Sequence, residues 1–591
     1  MKLMRNRGLS RLRDLFGAEH AIMSLLAVFV GLAAGLAAVG FRHLINFFQR
    51  LAYGSDDFLI NIVPSLPWGA KVWVPAAGGL IVGPLVYFWA REAKGHGVPE
   101  VMEAVALKGG LIRKRIVLIK SLASAICIGT GGAVGREGPI VQIGSAIGST
   151  IGQIFKISAD RMRTLVGCGA AAGIAATFNA PIAGAMFALE IILSDFGLAT
   201  FSPIVISAVV ATAISRHFLG DFPAFIVPAY ELVSLWEFPL YLLLGVICAA
   251  VGVMFVKTLY WSEDLFDRVT FPEYLKAGIG GLIIGVAALW VPHILGVGYG
   301  SIDLSLAAKM TWYLLMALVF CKILATAVTI GSGGSGGIFA PSLFIGAMAG
   351  GCFGLLVHGL WPQTTASPGA YAIVAMGALV SATTHGPLTA ILMLFEMTGD
   401  YKIILPLMIT CIISTLVAGQ LFRESIYTLK LIRRGVDIRG GREINTLKSM
   451  SVADVMNTSV ETIFEGTPLG VLSKMIAKSK YNSFPVLDRE KRLTGVISFS
   501  DYRDAVFDED LKDLIIAKDL ATTQVTTIDL NADLYEALET IMVKDFAVLP
   551  VVAPDDPHHL LGVISRRDII GAYDKAVLKK SLIGIRSTQK E

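Results

Sequence analysis

The sequence predicts an all-α polytopic membrane domain, built from two inverted-topology repeats that include partial-span helices, followed by an α+β module that is itself duplicated. Three observations carry this expectation. The chain of 591 residues is 54% hydrophobic and only 16% charged, more apolar surface than one soluble core can bury. The apolar part repeats a set of proline and glycine positions in the same order. Composition then turns polar near Gly435, and a second repeat, of about 65 residues, begins.

The segments Ala21 to Leu36, Leu240 to Val256 and Trp312 to Ile330 are mostly apolar and approach the roughly 20 residues that a spanning helix needs. Ile140 to Ile154 and Pro341 to Val357 are shorter and glycine-rich, which suits helices that stop partway and face protein or water. Lys2, Arg5, Arg7, Arg11 and Arg13 precede the first apolar run without a small-residue cleavage site, and Arg423, Lys430, Arg433 and Arg434 follow the last. The positive-inside rule therefore expects both termini in the cytoplasm, an even number of crossings and a multi-pass protein of the bacterial inner (plasma) membrane.

These flanks account for the net charge of +4. With no basic stripe interleaved with aromatics, nucleic acid is excluded as a partner. The six cysteines all lie in apolar segments with no metal-ligand or redox spacing, so they read as small core hydrophobes. The organisation expected is an N-terminal segment 1–20, a membrane domain 21–434, a linker 435–448, two soluble copies 449–511 and 512–577, and a tail 578–591.

Within the membrane part, Pro139 is followed by Ile143, Gly144 and Gly148, and Pro341 by Ile345, Gly346 and Gly350, a shift of 202 residues. Asn179-Ala180-Pro181 leads to Glu190 as His385-Gly386-Pro387 leads to Glu396, a shift of 206. Two matches in one order at nearly one spacing argue for duplicated halves, hence a transporter or channel fold with its site at their interface. In the soluble part, Asp454, Val460, Pro485, Gly495, Ser498 and Asp501 match Asp519, Val525, Pro550, Gly562, Ser565 and Asp568. Each copy carries a helical stretch (Leu469 to Lys478; Leu534 to Val543) and then β-rich runs (Ser483 to Leu487; Ala547 to Val552).

Anions crossing a membrane need positive potential without a tightly holding positive charge, and helix N-termini supply it through free N–H groups and the helix dipole. Glycine lets an ion approach the backbone, and proline starts a helix without losing a needed donor. Three segments fit: Gly95-His96-Gly97-Val98-Pro99, Gly135-Arg136-Glu137-Gly138-Pro139, and the run from Gly331 to Pro341. One alone would read as a packing or kink motif; the three together read as a pore.

The Gly-Arg-Glu-Gly-Pro string and the Gly-Ser-Gly-x-x-Gly-Gly-x-Phe-x-Pro string resemble the CLC family of chloride channels and proton-coupled anion antiporters. The soluble repeat resembles a tandem pair of CBS domains. The resemblance implies anion transport in a homodimer with one pore per subunit, and Glu137 as a gate whose carboxylate competes with chloride and swings away when protonated. It implies that the amides of Ile338 and Phe339 hold the central anion. Tyr427 donates a hydroxyl to it, unless it is a membrane-interface anchor. His96, Gly97, Gly135, Arg136 and Gly337 complete the expected anion-binding set. Ser498, Asp501, Ser565 and Asp568 match the CBS signature for an adenine nucleotide, or else belong to a domain that only packs. Conduction itself requires no cofactor.

Two positions depart from the family pattern. His96 stands where many chloride-selective members have serine, so it either offers a ring N–H to the anion or is satisfied by a neighbouring carbonyl. Ile191 stands at the inner proton-transfer position, where it cannot carry a proton; the adjacent Glu190 could. The departure favours a passive chloride channel, gated by voltage or pH, over a chloride/proton antiporter. A CBS-containing cation transporter is a remote alternative, since membrane acids are few. An enzyme is not expected, because His-Glu-x-x-His and a nucleophile–base pair are absent.

Overall fold

The computed structural model describes residues 18–57, 59–221, 225, 232–436, 447–448, 450–479, 481–503, 514–544 and 546–575. The basic N-terminal residues, most of the linker and the segment 578–591 of the sequence reading lie outside them. The chain divides into two compact units at Val436/Asp437.

Helices longer than one turn, in chain order, are α1 Ala18–Tyr53, α2 Trp68–Trp89, α3 Val98–Leu107, α4 Arg115–Gly129, α5 Glu137–Ile154, α6 Ala159–Phe178, α7 Pro181–Phe187, α8 Leu198–Leu219 and α9 Glu237–Arg268. The first unit continues with α10 Glu273–Ala287, α11 Tyr299–Leu306, α12 Trp312–Gly331, α13 Phe339–Leu360, α14 Pro368–Thr384, α15 Pro387–Thr398, α16 Ile404–Leu421 and α17 Thr428–Arg433. Among the described residues, seven helices (α1, α2, α8, α9, α12, α13 and α16) are long and apolar enough to cross a membrane. The segment read as Pro341 to Val357 extends to the full α13 and so reaches spanning length. α14, α15 and the stretch Pro181–Leu193 are apolar but shorter, as a partial-span helix must be.

The repeated residues have repeated jobs. Asn179 and His385 take left-handed backbone conformations (φ 59° and 56°) that end α6 and α14, and Pro181 and Pro387 then start α7 and α15 at the position where a missing N–H costs least. A Cβ on Gly144 would overlap the carbonyl of Gly169, and one on Gly148 that of Leu165, so α5 and α6 touch backbone to backbone. Gly346 and Gly350 stand in the same relation to Ala375 and Tyr371, bringing α13 against α14.

Each half also caps the other. Glu190, in the π-helical turn Ala188–Leu193 that continues α7, accepts hydrogen bonds from the N–H groups of Leu388 (3.1 Å) and Thr389 (2.7 Å) and from the Thr389 hydroxyl (2.6 Å) at the start of α15. Glu396, on α15, accepts from the N–H groups of Ile182 (3.0 Å) and Ala183 (2.7 Å) at the start of α7. Carboxylates at helix N-termini satisfy orphan donors and complement the dipole.

In the second unit, β1 Ile463–Phe464 pairs parallel with β2 Ser483–Leu487, which pairs antiparallel with β3 Leu493–Ser498. The second copy repeats this order with β4 Ile528–Asp529, β5 Val548–Ala553 and β6 Asp556–Ser565. Their helices, α18 Leu469–Lys478 and α19 Leu534–Lys544, bury Leu472 and Ile476, and Ala537 and Ile541, at helical spacing. Leu447 and Val452 pack into the core of the second sheet, whereas Ala517, with Ile515 and Leu520, packs into the first. The two copies therefore exchange their leading segments.

The close α5–α6 and α13–α14 contacts predict that Gly144→Ala or Gly346→Ala destabilises the protein by about 1–3 kcal/mol through overpacking. Gly40→Ala, inside α1 with nothing within 4 Å of the new methyl, causes no loss and stabilises by up to about 1 kcal/mol. Thermal unfolding of the detergent-solubilised variants, followed by size-exclusion, reads both.

Candidate functional site

Three glycine-rich loops, those preceding α3, α5 and α13, are tied together by their own backbones. Gly135 and Gly337 exchange two hydrogen bonds, Gly135 N–H to Gly337 O at 2.7 Å and Gly337 N–H to Gly135 O at 2.6 Å. Gly95 N–H donates to Gly334 O (3.1 Å), and Gly336 N–H to Gly95 O (3.3 Å). The approach leaves no room for side chains: a Cβ on Gly138 would overlap the carbonyl of His96, and one on Gly337 would lie 2.6 Å from the N of Gly138. Gly97 also has φ 83°, a left-handed conformation that glycine adopts without strain. Three helix starts, each with N–H groups lacking intrahelical acceptors, thereby face one another.

Glu137 is the first residue of α5 and is 1% exposed. Its Oε1 accepts a hydrogen bond from the Tyr299 hydroxyl at 2.8 Å, and its Oε2 has no partner. The amides of Ala340 and of Glu137 itself face the carboxylate. Arg136 caps α5, but its guanidinium lies over the Tyr299 ring, 5.4 Å from the centroid. Among the described residues no ion pair joins Arg136 to Glu137, since neighbours at a helix start point apart.

His96 is fully buried, and neither ring nitrogen has a hydrogen-bond partner. Of the two readings left by the sequence, satisfaction by a nearby carbonyl is therefore not what the structure has. The imidazole packs against Tyr427, ring centroids 5.8 Å apart. Tyr427 is buried too, but it lies ahead of α17 as its N-cap rather than within that helix. Tyr260 Oη donates to Ile426 O (2.7 Å), and Ile426 N–H to Thr383 O (2.8 Å), holding the turn that carries it. Ile338 and Phe339 open α13, both 2% exposed, and the Phe339 ring sits 5.8 Å from that of Phe178.

Sequence reasoning missed Tyr299 and the two lysines that brace the loops. Lys120, buried on α4, donates to Ala93 O (2.9 Å) and Gly95 O (2.8 Å), holding the His96 loop. Lys322, buried on α12, donates to Ile294 O (2.9 Å) and Gly296 O (2.8 Å), holding the loop that carries Tyr299. The signal was present: Lys120 and Lys322 are separated by the same 202 residues as Pro139 and Pro341. Outside Tyr299, a cavity of about 320 Å³ is lined by Arg42, Gln49, Arg136, Asn179 and His293.

Ile191 is buried and apolar, and its neighbour Glu190 is engaged as the cap of α15. In the second unit the Ser498 N–H and hydroxyl both donate to Asp501 Oδ2 (2.8 and 2.7 Å), and Ser565 bonds Asp568 in the same way. These pairs cap the helical segments that follow β3 and β6, and an open hollow beside Ser565 is lined by Arg566, Arg567 and Asp574.

Buried backbone donors and hydroxyls, set between duplicated halves of a membrane domain, define a membrane transport protein for small anions. Residues 78–419 match the family described as voltage gated chloride channel, and residues 452–508 and 517–575 each match the CBS domain. A ClcB-like chloride channel protein of Ralstonia nicotianae is 38% identical over 419 residues, covering 70% of this chain and 98% of that protein. The H(+)/Cl(-) exchange transporter ClcA of Cronobacter sakazakii is 34% identical over 424 residues, covering 69% and 89%. The crystal structure of a slow cyanobacterial Cl-/H+ antiporter aligns with a TM-score of 0.64 at 29% identity, covering 70% of this chain and 97% of that one. The chain belongs to the CLC family, with a tandem CBS pair after its membrane domain, and its activity is CLC-type anion transport.

Removing Lys322 takes the side-chain donor from two carbonyls, those of Ile294 and Gly296, whereas Ala93 O and Gly95 O keep Ser335 Oγ and Gly336 N–H when Lys120 is removed. Lys322→Met should destabilise the protein by about 2–4 kcal/mol and Lys120→Met by less, and thermal unfolding in detergent checks it; stability equal to the parent in Lys322→Met would mean the tether is incidental.

Proposed function

We propose that this protein conducts chloride through a pore gated by Glu137, one pore in each subunit of a homodimer. It sits in the inner membrane of a bacterium with both termini in the cytoplasm, and performs transport rather than catalysis. The observation that carries the reading is the buried Glu137 carboxylate, with one oxygen unpartnered, facing helix-start amides. An ionised carboxylate there competes with chloride for the same donors, and protonation releases them, so proton and anion occupancy are linked. The amides of Ile338 and Phe339, the hydroxyl of Tyr427 and a ring N–H of His96 bind the central anion. Gly97, Gly135 and Gly337 let it approach the backbone, and Arg136 adds outer positive potential.

The passive channel is the favoured form. Ile191 cannot carry a proton, and Glu190 already accepts three hydrogen bonds from the start of α15. Exchange of chloride for protons is the second reading, favoured by the unpartnered ring nitrogens of His96 and by relatives that bear the exchanger name. In the tail, Asp501 and Asp568 each keep one carboxylate oxygen for the ribose hydroxyls of an adenine nucleotide, while Ser498 and Ser565 face its phosphate.

In sealed vesicles with a chloride gradient, flux should rise as pH falls, and Glu137→Ala should leave flux intact or faster while removing most of its pH dependence. A channel moves chloride only when voltage is shunted and pumps no protons. Sustained uphill proton movement driven by chloride would establish exchange, and a folded Glu137→Ala protein without anion flux would remove the gate assignment.

For the tail, ATP or AMP should raise the unfolding temperature of the second unit in the full-length protein. Asp568→Ala should weaken that effect roughly tenfold in concentration, the equivalent of about 1.4 kcal/mol. No nucleotide shift in the parent would leave a tail that only packs.

A further inference from the structure

We infer that Tyr299 is the latch of the gate: its hydroxyl holds the ionised Glu137 carboxylate in the anion path and sets the pH at which that carboxylate lets go. The inference rests on the gate reading of Glu137 and deepens it. The Tyr299 hydroxyl is the one side-chain donor to Glu137 among the described residues, at 2.8 Å to Oε1. The phenol is built in rather than draped. It begins α11 directly after Gly298, whose φ of 91° and contact with Phe344 leave no space for a side chain. Its ring is met edge-on by Phe225 (5.4 Å, 83°) and covered by the Arg136 guanidinium. Lys322 fixes the preceding turn through two carbonyls, and Gly296 N–H donates to Gly131 O at 3.1 Å.

The location also fits. Tyr299 lines the outer cavity while its hydroxyl reaches the buried carboxylate, so it stands at the boundary that a departing Glu137 must cross. It is the second half's counterpart of the His96 loop: Gly95-x-Gly97 and Gly296-x-Gly298 are each anchored by a buried lysine to their first glycine. One loop thus presents a side chain to the central anion and the other presents one to the gate.

The charged and titratable groups facing Glu137 are Arg136 on its own turn, Tyr299 from α11 and Tyr427 from the turn before α17, with the Ala340 amide from α13. Arg42, from α1, faces Arg136 and Tyr299 from behind. Of these, only Tyr299 gives the carboxylate a side-chain hydrogen bond. Donation to a carboxylate favours its ionised form, so the latch keeps the gate shut to lower pH than Arg136 and the amides alone would.

Removing the hydroxyl by Tyr299→Phe should move the midpoint of the flux–pH curve about one unit toward alkaline pH, the effect expected of one charge-assisted hydrogen bond. Incorporating 3-fluorotyrosine at position 299, a stronger donor of nearly the same shape, should move it toward acid. In a Glu137→Gln background, where the pH dependence is already lost, Tyr299→Phe should change nothing. Chloride flux from vesicles, recorded from pH 4 to 8 (about two units around the carboxylate and imidazole ranges), reads all three. If Glu137→Gln flattens the curve but neither Tyr299 variant shifts it, or both shift it the same way, the latch is wrong and the gate stands. If Glu137→Gln retains the parent's pH dependence, the gate reading falls and the latch with it.

Discussion

Gly135 and Gly337 exchange both of their backbone hydrogen bonds, and the shape of the pore follows from that pair. Each glycine ends a loop whose next residues begin a helix, one in each half of the membrane domain. Joining the loops at hydrogen-bond distance forces the starts of α5 and α13 to face each other, with Gly95 drawing α3 into the same knot. The N–H groups that an ordinary helix would lose to water are thereby concentrated at one buried place. Amide dipoles so placed would attract an anion and let it leave, where a fixed cation would hold it too long.

The remaining architecture keeps that knot from relaxing. The buried amino groups of Lys120 and Lys322 are engaged by loop carbonyls, so they brace the His96 and Tyr299 loops. Glu190 and Glu396 tie α7 and α15 crosswise, which couples the halves at a second level. Close glycine contacts let α5 lie on α6 and α13 on α14. This frame surrounds Glu137, whose second carboxylate oxygen remains unpartnered, as the proposed gate requires.

Much of this was legible before any coordinates. The proline and glycine shifts that announced duplicated halves turn out to be the helix starts and backbone contacts themselves, because those jobs admit few residue types. Glu137 was legible because it stands in the Gly-Arg-Glu-Gly-Pro string, whose resemblance to the CLC family marks it out. Tyr299 was not, since a tyrosine 162 residues away in sequence declares its partner only once α11 and α5 are placed in space. The lysines were hidden for a different reason: a charged residue in an apolar run reads as a boundary or an exception until the carbonyls it satisfies are seen. For Tyr427 the sequence left a membrane-interface anchor open; its burial, in the turn pinned by Tyr260 and Thr383 ahead of α17, shows only in the structure. In the tail, the repeat was visible, but the exchange of leading segments between copies was not, because it depends on tertiary packing rather than on pattern.

The central claim is that the anion rests on backbone amides where the helix starts meet, flanked by His96 and Tyr427, and that ionised Glu137 occupies a neighbouring anion position. Anomalous diffraction from crystals of the Glu137→Gln protein grown in bromide tests it most directly. The account predicts one bromide peak within hydrogen-bond distance of the Ile338 and Phe339 amides and the Tyr427 hydroxyl, and a second where the carboxylate had been. Bromide found only beside surface arginines, with the space between His96, Ile338 and Tyr427 empty, would contradict it.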